Sequence, residues 1–286
     1  MIASVAISRQ EHIGTISLVC ECFDVKRNVY YKQVKAHAKQ KDIKNKVLKY
    51  VKGRRKLQSR EGCKKIYNAM RKDEQMHDCE IGRDKFYDIM REENMLVKKK
   101  RSYVKTTDSN HPFRKHENKI KNLKISRPNQ VWVADITYIR TVKGHSYLAL
   151  ITDLYSRKIV GYDVSNSLEL AGCLRAFTRA QKAARPAAGL IHHSDRGSQY
   201  CSNEYVGTLK KYNVEISMTQ ENHCYENAVA ERVNGILKDE FYLDQCFYNF
   251  ELARKACENA IEIYNTKRLH LSLGYKTPEQ VYKMCA

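Results

Sequence analysis

Between Gln130 and Ser165 the chain reads as three successive strands, and an acidic residue sits inside the first of them. "QVWVADITYIRT" is rich in Val, Ile, Thr and aromatic residues, and "HSYLALITDLYSRKIVGYDVS" supplies two more runs joined through the turn-forming "DLYSRK". Strands connected this briefly pair as an antiparallel meander. Asp135 interrupts the leading run, where a lone buried carboxylate is costly unless a cation or hydrogen-bond donors compensate it.

Beyond the meander the pattern alternates. Ser167 is placed to cap "LELAGCLRAFTRAQKAA", whose Leu170, Leu174 and Phe177 form an apolar stripe. "GLIHHSD" then reads as a short buried strand, "NEYVGTLKKYN" as a helix, "VEISMT" as a strand and "ENAVAERVNGILKDEFYLD" as a longer helix. The order βββαβαβα, with a mixed five-stranded sheet between flanking helices, resembles the ribonuclease H-like α/β fold.

The region before the sheet has a different character. Residues 10–105 read as helices, with apolar positions three and four apart at Ile13, Ile16, Cys20 and Phe23, at Ile66 and Met70, and at Phe86 and Ile89. "LVCECFDVKRNVYYKQ" has the layout of a helix-turn-helix with Lys26, Arg27 and Lys32 on or near its second helix, where they would reach DNA. Residues 97–127 are polar and basic, with Lys98, Lys99, Lys100 and Arg101 in one run, and read as a linker that tracks phosphate. The expected divisions are a helical DNA-binding region 1–105, a basic linker 106–127, a ribonuclease H-like core 128–250 and a C-terminal helical segment 251–286.

Charge follows the same division. Residues 1–127 hold 33 Lys and Arg against 15 Asp and Glu, whereas residues 128–286 hold 19 against 17. The first part suits a polyanion, and the second has acids to spare for other work. The 10 cysteines include no CxxC pair and read as reduced, mostly buried thiols, not as a zinc site. The N-terminus lacks a secretory pattern, and the longest apolar run, "YLALI", is far short of a membrane span. The expectation is a cytoplasmic, nucleoid-associated protein.

Two more acids complete the pattern. Asp195 follows the fourth strand, which the ribonuclease H-like fold places beside the first. Two carboxylates meeting at strand ends repel, and a divalent cation relieves the repulsion. Glu231 lies on the late helix with Asn227 four residues before it and Lys238 seven after, so the three share one helical face. Glu226, the rival acid, lies about 140° away around that helix and loses alignment with Lys238.

"WVADITY", "HHSDRGSQY" and "NAVAERVNGILKDE", with 35 residues between the second and third acids, resemble the DDE catalytic core of insertion-sequence transposases of the IS-three family, OrfB type. "YNTKRLHLSLGYKTPEQVY" is similar to that family's C-terminal signature, and "REGCKKIYNAMR" with "IGRDKFYDIMREENMLV" to its N-terminal helical module. The resemblance implies catalytic and metal-binding roles for Asp135, Asp195 and Glu231, two Mg²⁺ ions for which Mn²⁺ could substitute, and DNA contacts by Lys238 and Asn227. It further implies double-stranded DNA as substrate and a homo-oligomer, at least a dimer, to pair two element ends. An OrfA partner or frameshift fusion is expected, because the family's leucine-zipper piece resides there and none precedes the helices of this sequence.

The remaining polar candidates read as local. Asp153 suits hydrogen bonding within its turn. Of His192 and His193, one is expected to pack and the other to assist locally, and Ser194 and Ser198 lack a base and orienting group. Two other functions fit the same fold: a DNA-binding regulator with an inactive ribonuclease H-like domain, and a structure-selective nuclease that cuts without joining. The intact acid trio speaks against the first, and a joined product would exclude the second.

Overall fold

A computed structural model describes residues 15–97, 112–220 and 227–284. The chain divides into two compact units, one comprising residues up to Lys56 and Ile66–Leu96, the other Leu57–Lys65 and everything from Val97 onward. The runs Lys98–Arg101 and the rival Glu226 lie outside the described residues.

The first unit is helical, with α1 (Ile16–Cys22), α2 (Arg27–Leu57) up to Lys56, α3 (Cys63–Arg71) from Ile66 onward and α4 (Arg83–Glu92); the first residues of α3, Lys65 among them, belong to the second unit. The expected helix-turn-helix is α1 and α2. Asp24 takes a left-handed φ of 50° in the turn, and Cys20 packs on Tyr30 beside Ile16 and Val34. Helix α1 stops at Cys22, so Phe23 does not extend the apolar stripe and is exposed. The second helix runs for 31 residues, and Lys26, Arg27 and Lys32 are exposed at its start. Val47, Val51, Ile66, Met70, Phe86 and Met90 are buried, and Lys44 pairs with Glu92 and Glu93 to tie α2 to α4.

The second unit holds β1 (Val131–Thr141), β2 (Gly144–Asp153), β3 (Ile159–Ser165), α5 (Leu170–Ala184), β4 (Ile191–Ser194), the single turn α6 (Ser198–Cys201), α7 (Asn203–Lys211), β5 (Glu215–Met218), α8 (Ala228–Phe241), α9 (Phe250–Thr266) and α10 (Pro278–Met284). The strands lie in the order β3-β2-β1-β4-β5, the first three antiparallel and β4 and β5 parallel to β1 and to each other. This is the ribonuclease H-like sheet. Helix α5 is capped by Glu169, so Ser167 lies outside the helix it was expected to start.

Side chains alternate across each strand, and so the sheet has two apolar faces. On one, Trp132, Ala134, Ala149 and Ile151 pack with Phe177 of α5 and with Tyr200, Tyr205 and Leu209. Gly161 is required there, since a Cβ would come 2.4 Å from the Ala176 carbonyl oxygen of α5. On the other, Ile139, Leu148 and Leu150 pack with Val233, Ile236 and Leu237 of α8 and with Cys257, Ile261 and Tyr264 of α9. Helix α9, expected in a separate C-terminal segment, is thus part of the sheet's core. The described part of the expected linker also belongs to this unit: Phe113 packs on the first face, and Ile120 and Ile125 pack beside Val131 and Val133. Among the described residues no helix is long and apolar enough to cross a membrane, and the eight described cysteines are free thiols.

Candidate active site

Parallel pairing of β1 with β4 runs from Val131 opposite Ile191 to Ala134 opposite Ser194 and then stops. Asp135 and Asp195 are the next residues on each side, so the two acids emerge at one fork between diverging chains. Helix α8 closes the fork over the sheet face shared by Val131 and Val133, where Ala230 packs. Asn227, its N-cap, is buried and donates Nδ2 to the Ala134 carbonyl oxygen at 3.1 Å, pinning the helix start to the last paired rung. Its Oδ1 is buried as well, without a hydrogen-bond partner among the described residues.

About two helical turns further, Asn234 donates Nδ2 to Oδ2 of Asp135 at 2.7 Å, while Oδ1 of the same Asp accepts the Ile136 amide at 2.9 Å. Asp195 Oδ1 accepts the Gly197 amide at 3.0 Å. A Cβ at position 197 would lie 3.1 Å from that oxygen, so glycine lets the turn close on the carboxylate. Glu231 projects from an exposed position on α8, and Lys238 is half-buried on the same face. Asn234 lies between those two on that face and was not singled out from the sequence, although the spacing 227, 231, 234, 238 marks it.

Electrostatics separate these acids from ordinary carboxylates. Desolvation, followed by the nearby charge of Asp195 and to a smaller extent that of Glu231, pushes Asp135 up to about 7, against the downward pull of Asn234. Glu231 is also raised, by desolvation first and by Asp195 second. Lys238 is lowered by desolvation, which outweighs the attraction of Asp135. Among the described residues no cationic side chain is hydrogen-bonded to Asp135; its partners there are two neutral amides. Among the described residues no three His, Cys, Asp or Glu side chains are gathered tightly enough to hold a metal ion. The charge of Asp195 acts on both Asp135 and Glu231, and that of Glu231 on Asp135. A mutually repelling, oxygen-only donor set with one desolvated carboxylate suits a hard divalent cation.

The other polar residues are structural. His192 is enclosed by Phe177, Tyr200 and Tyr205, engages the Tyr205 hydroxyl at 3.0 Å, and is pushed down to about 3 by burial. His193 Nδ1 lies 2.9 Å from Ser217 Oγ. Asp153 accepts from Asn129 N, Ser156 N and Ser156 Oγ, a turn-fixing role. Ser194 and Ser198 hydroxyls donate to the Asp195 carbonyl and to Gln199.

A second acid on α8 is treated differently. Glu240 receives Arg268 in a two-pronged pair, Nη2 to Oε1 at 2.7 Å and Nε to Oε2 at 2.9 Å, and Lys65 Nζ at 2.9 and 3.0 Å. Burial pushes Glu240 up, but Arg268 and Lys65 outweigh it and hold the carboxyl below its usual value. Lys65 itself is lowered, by burial and then by Arg268.

Two family models, both described as integrase core domain, match residues 125–224 and 212–278. The insertion element IS600 31 kDa protein of Shigella sonnei is 34% identical over 278 residues, covering 94% of this chain and 100% of that protein. The transposase for IS904 of Lactococcus lactis subsp. lactis is 39% identical over 161 residues, 56% of this chain and 64% of its own length. Transposase InsF for IS3A of Escherichia coli is 38% identical over 156 residues, 54% of each. Among solved structures, the HTLV-2 integrase catalytic core domain in complex with magnesium aligns with 55% of this chain and 97% of its own, with 21% identity and a TM-score of 0.44. The chain belongs to the IS3 family of insertion-sequence transposases, with an integrase-type catalytic core.

Proposed function

We propose that Asp135, Asp195 and Glu231 are the catalytic acids of this transposase and that they act together on DNA phosphodiesters at the ends of an insertion sequence. The observation that carries this reading is the placement of Asp135 and Asp195 one residue past the last β1–β4 rung, beneath the helix that bears Glu231, with Asp135 raised by desolvation first and the charge of Asp195 second and, among the described residues, no cationic side chain hydrogen-bonded to it. Divalent cations, Mg²⁺ or Mn²⁺, would be held by these three acids and would supply Lewis-acid activation of the attacking and leaving oxygens.

The chain's own groups then have defined tasks. Asn234 fixes the rotamer of Asp135, Gly197 fixes Asp195, and Asn227 fixes the start of the helix that carries Glu231. Lys238, on the Glu231 face, offers a cation to a DNA phosphate entering the site, at reduced desolvation cost because it is already half-buried. In the first use of the site, water attacks at an element end and frees a 3′-hydroxyl. In the second, that hydroxyl attacks another phosphodiester and joins the strands. Two ends must meet, which calls for at least a dimer, and an OrfA partner or fusion would supply end pairing or recognition. Lys26, Arg27 and Lys32, exposed at the start of α2, are assigned to DNA contact, and Lys98, Lys99, Lys100 and Arg101 to phosphate tracking. The site of action is the cytoplasmic nucleoid.

The test uses the full chain, with and without OrfA, on labelled linear DNA carrying element ends in Mg²⁺. Asp135→Asn, Asp195→Asn and Glu231→Gln are each expected to lower cleavage and joining by at least about three orders of magnitude while end binding persists. Retained cleavage removes that residue from the site. Pre-cut ends that are bound but never joined by the unmutated protein would reassign the chain to a nuclease.

A further inference from the structure

Residues 113–119 do not hang free beside the sheet. Phe113, partly buried, packs against the core cluster that holds Trp132 and Phe177. The Glu117 carbonyl oxygen accepts the Met218 amide at 3.3 Å, and the Lys119 amide donates to Ser217 Oγ at 2.9 Å. That Ser217 oxygen also lies 2.9 Å from His193 Nδ1. A hydroxyl that accepts from Lys119 has its own proton free to donate to the ring, so His193 serves to orient the anchor. Met218 in turn is paired with Ser194, and Thr219 N donates to the Ser194 carbonyl oxygen at 3.0 Å. The strap therefore crosses the outer edge of β5 level with the residue before Asp195, about 10 Å away at two strand spacings.

We infer that this strap is a phosphate rail, which fixes the exposed cations Arg114 and Lys115, with Lys210 of α7, along the path of a DNA strand entering the carboxylate site. The inference rests on the functional reading above. Covering an edge strand needs only backbone and bulk. It does not explain why, among the described residues, the side chains of Arg114, Lys115 and Lys210 have no ion-pair or hydrogen-bond partner while that of nearby Lys119 is paired with Glu215 at 2.8 Å. Of the acids near it, Glu117 lies exposed within the strap itself and Glu215 is already paired with Lys119. The surplus charge is felt locally. His116, half-buried in the strap, is lowered by burial first and then by Arg114, Lys210 and Lys119. Lys115, Arg196 and Asp195 all act on the buried thiol of Cys201, whose Sγ lies 3.5 Å from Met218 Sδ, so the rail and the acid share one end of the sheet.

The experiment compares Arg114→Glu/Lys115→Glu with Lys255→Glu/Lys267→Glu, which makes the same change in net charge at exposed positions on and just after α9. Affinity for a labelled duplex oligonucleotide is followed by fluorescence anisotropy across a salt series, alongside the thermal midpoint. The rail variant should lose about tenfold or more in affinity, with a salt slope shallower by about 2, as expected for two lost phosphate contacts. The α9 variant should change affinity less than about twofold on the same electrostatic grounds. An unchanged slope in the rail variant, or an equal loss in the α9 variant, overturns the inference. If the rail variant also melts early, Arg114→Gln/Lys115→Gln decides by the same slope. Binding is read without catalysis, so failure of the unmutated protein to cut DNA would overturn the functional reading separately.

Discussion

Helix α8 presents two acidic environments, one near each end, and they are built on opposite rules. Near its C-terminus Glu240 is enclosed by Arg268 and Lys65, and every oxygen has a charged donor. Near its N-terminus the helix meets Asp135 with an amide from Asn234 and adds Glu231 to a place already occupied by two acids. The same burial that is compensated at Glu240 is left uncompensated at Asp135. The fold surrounds one buried carboxylate with cations and gives the other, among the described residues, only neutral donors, and it is this second kind of environment that the proposed cation-dependent role of Asp135 calls on.

The largest expected contrast comes from breaking the compensated end. Arg268→Ala should cost about 3–5 kcal/mol of stability, measured by denaturant unfolding, because Glu240 stays buried with only part of its pairing. Asp135→Asn should cost nothing comparable. Stability losses of equal size at both ends would erase the contrast.

A smaller effect is expected at the uncompensated end. Asn234→Ala frees the Asp135 carboxyl to rotate and should slow strand cleavage by roughly 10- to 100-fold, as loss of a ligand-orienting partner does. Asn234 is a positioning residue, so the loss should show in a raised requirement for Mg²⁺ with DNA affinity retained. A normal Mg²⁺ titration in that variant would leave the hydrogen bond without a role.

A third contrast is in pH, where the two ends have opposite signs. Asp135 titrates at about 7 in the fold and near 4 when unfolded, so the folded state binds the extra proton. Its contribution is fully present below about 4 and is lost as pH rises toward 7. Glu240, held below its usual value, contributes above its unfolded pKa and loses that as pH falls through its folded one. In metal-free buffer, Asp135→Asn should therefore gain stability relative to the unmutated protein between pH 5 and pH 8, and Mg²⁺ should narrow the gap. Parallel stability curves for the two proteins would show that Asp135 is not strained.

Much of the catalytic end was legible because its signals are local. Asp135 stands out against the Val, Trp, Ile and Tyr around it, Asp195 closes an apolar run, and Glu231 aligns with Lys238 by helical geometry alone. Asn234 lay on that same face, but a polar amide in a half-exposed helix has no chemistry of its own until its partner is known. The clamp on Glu240 was beyond reach for a different reason: Lys65 and Arg268 lie 175 and 28 residues from it, and only the folded unit brings them together. Composition also misplaced 112–127, since Phe113, Ile120 and Ile125 follow no helical or strand period and yet anchor a strongly basic stretch to the core.

The end of the β1–β4 ladder carries a consequence for how this molecule tolerates change. Two acids issue one residue past the same final rung, so their separation depends on the number of rungs and not on the length of the loop that follows Asp195. Residues can be gained or lost after Asp195 with the pair kept in place, whereas a single insertion within Val131–Ala134 or Ile191–Ser194 would turn one carboxylate to the wrong side of the sheet. Length variation among relatives should accordingly gather beyond the fork and stay out of those eight positions.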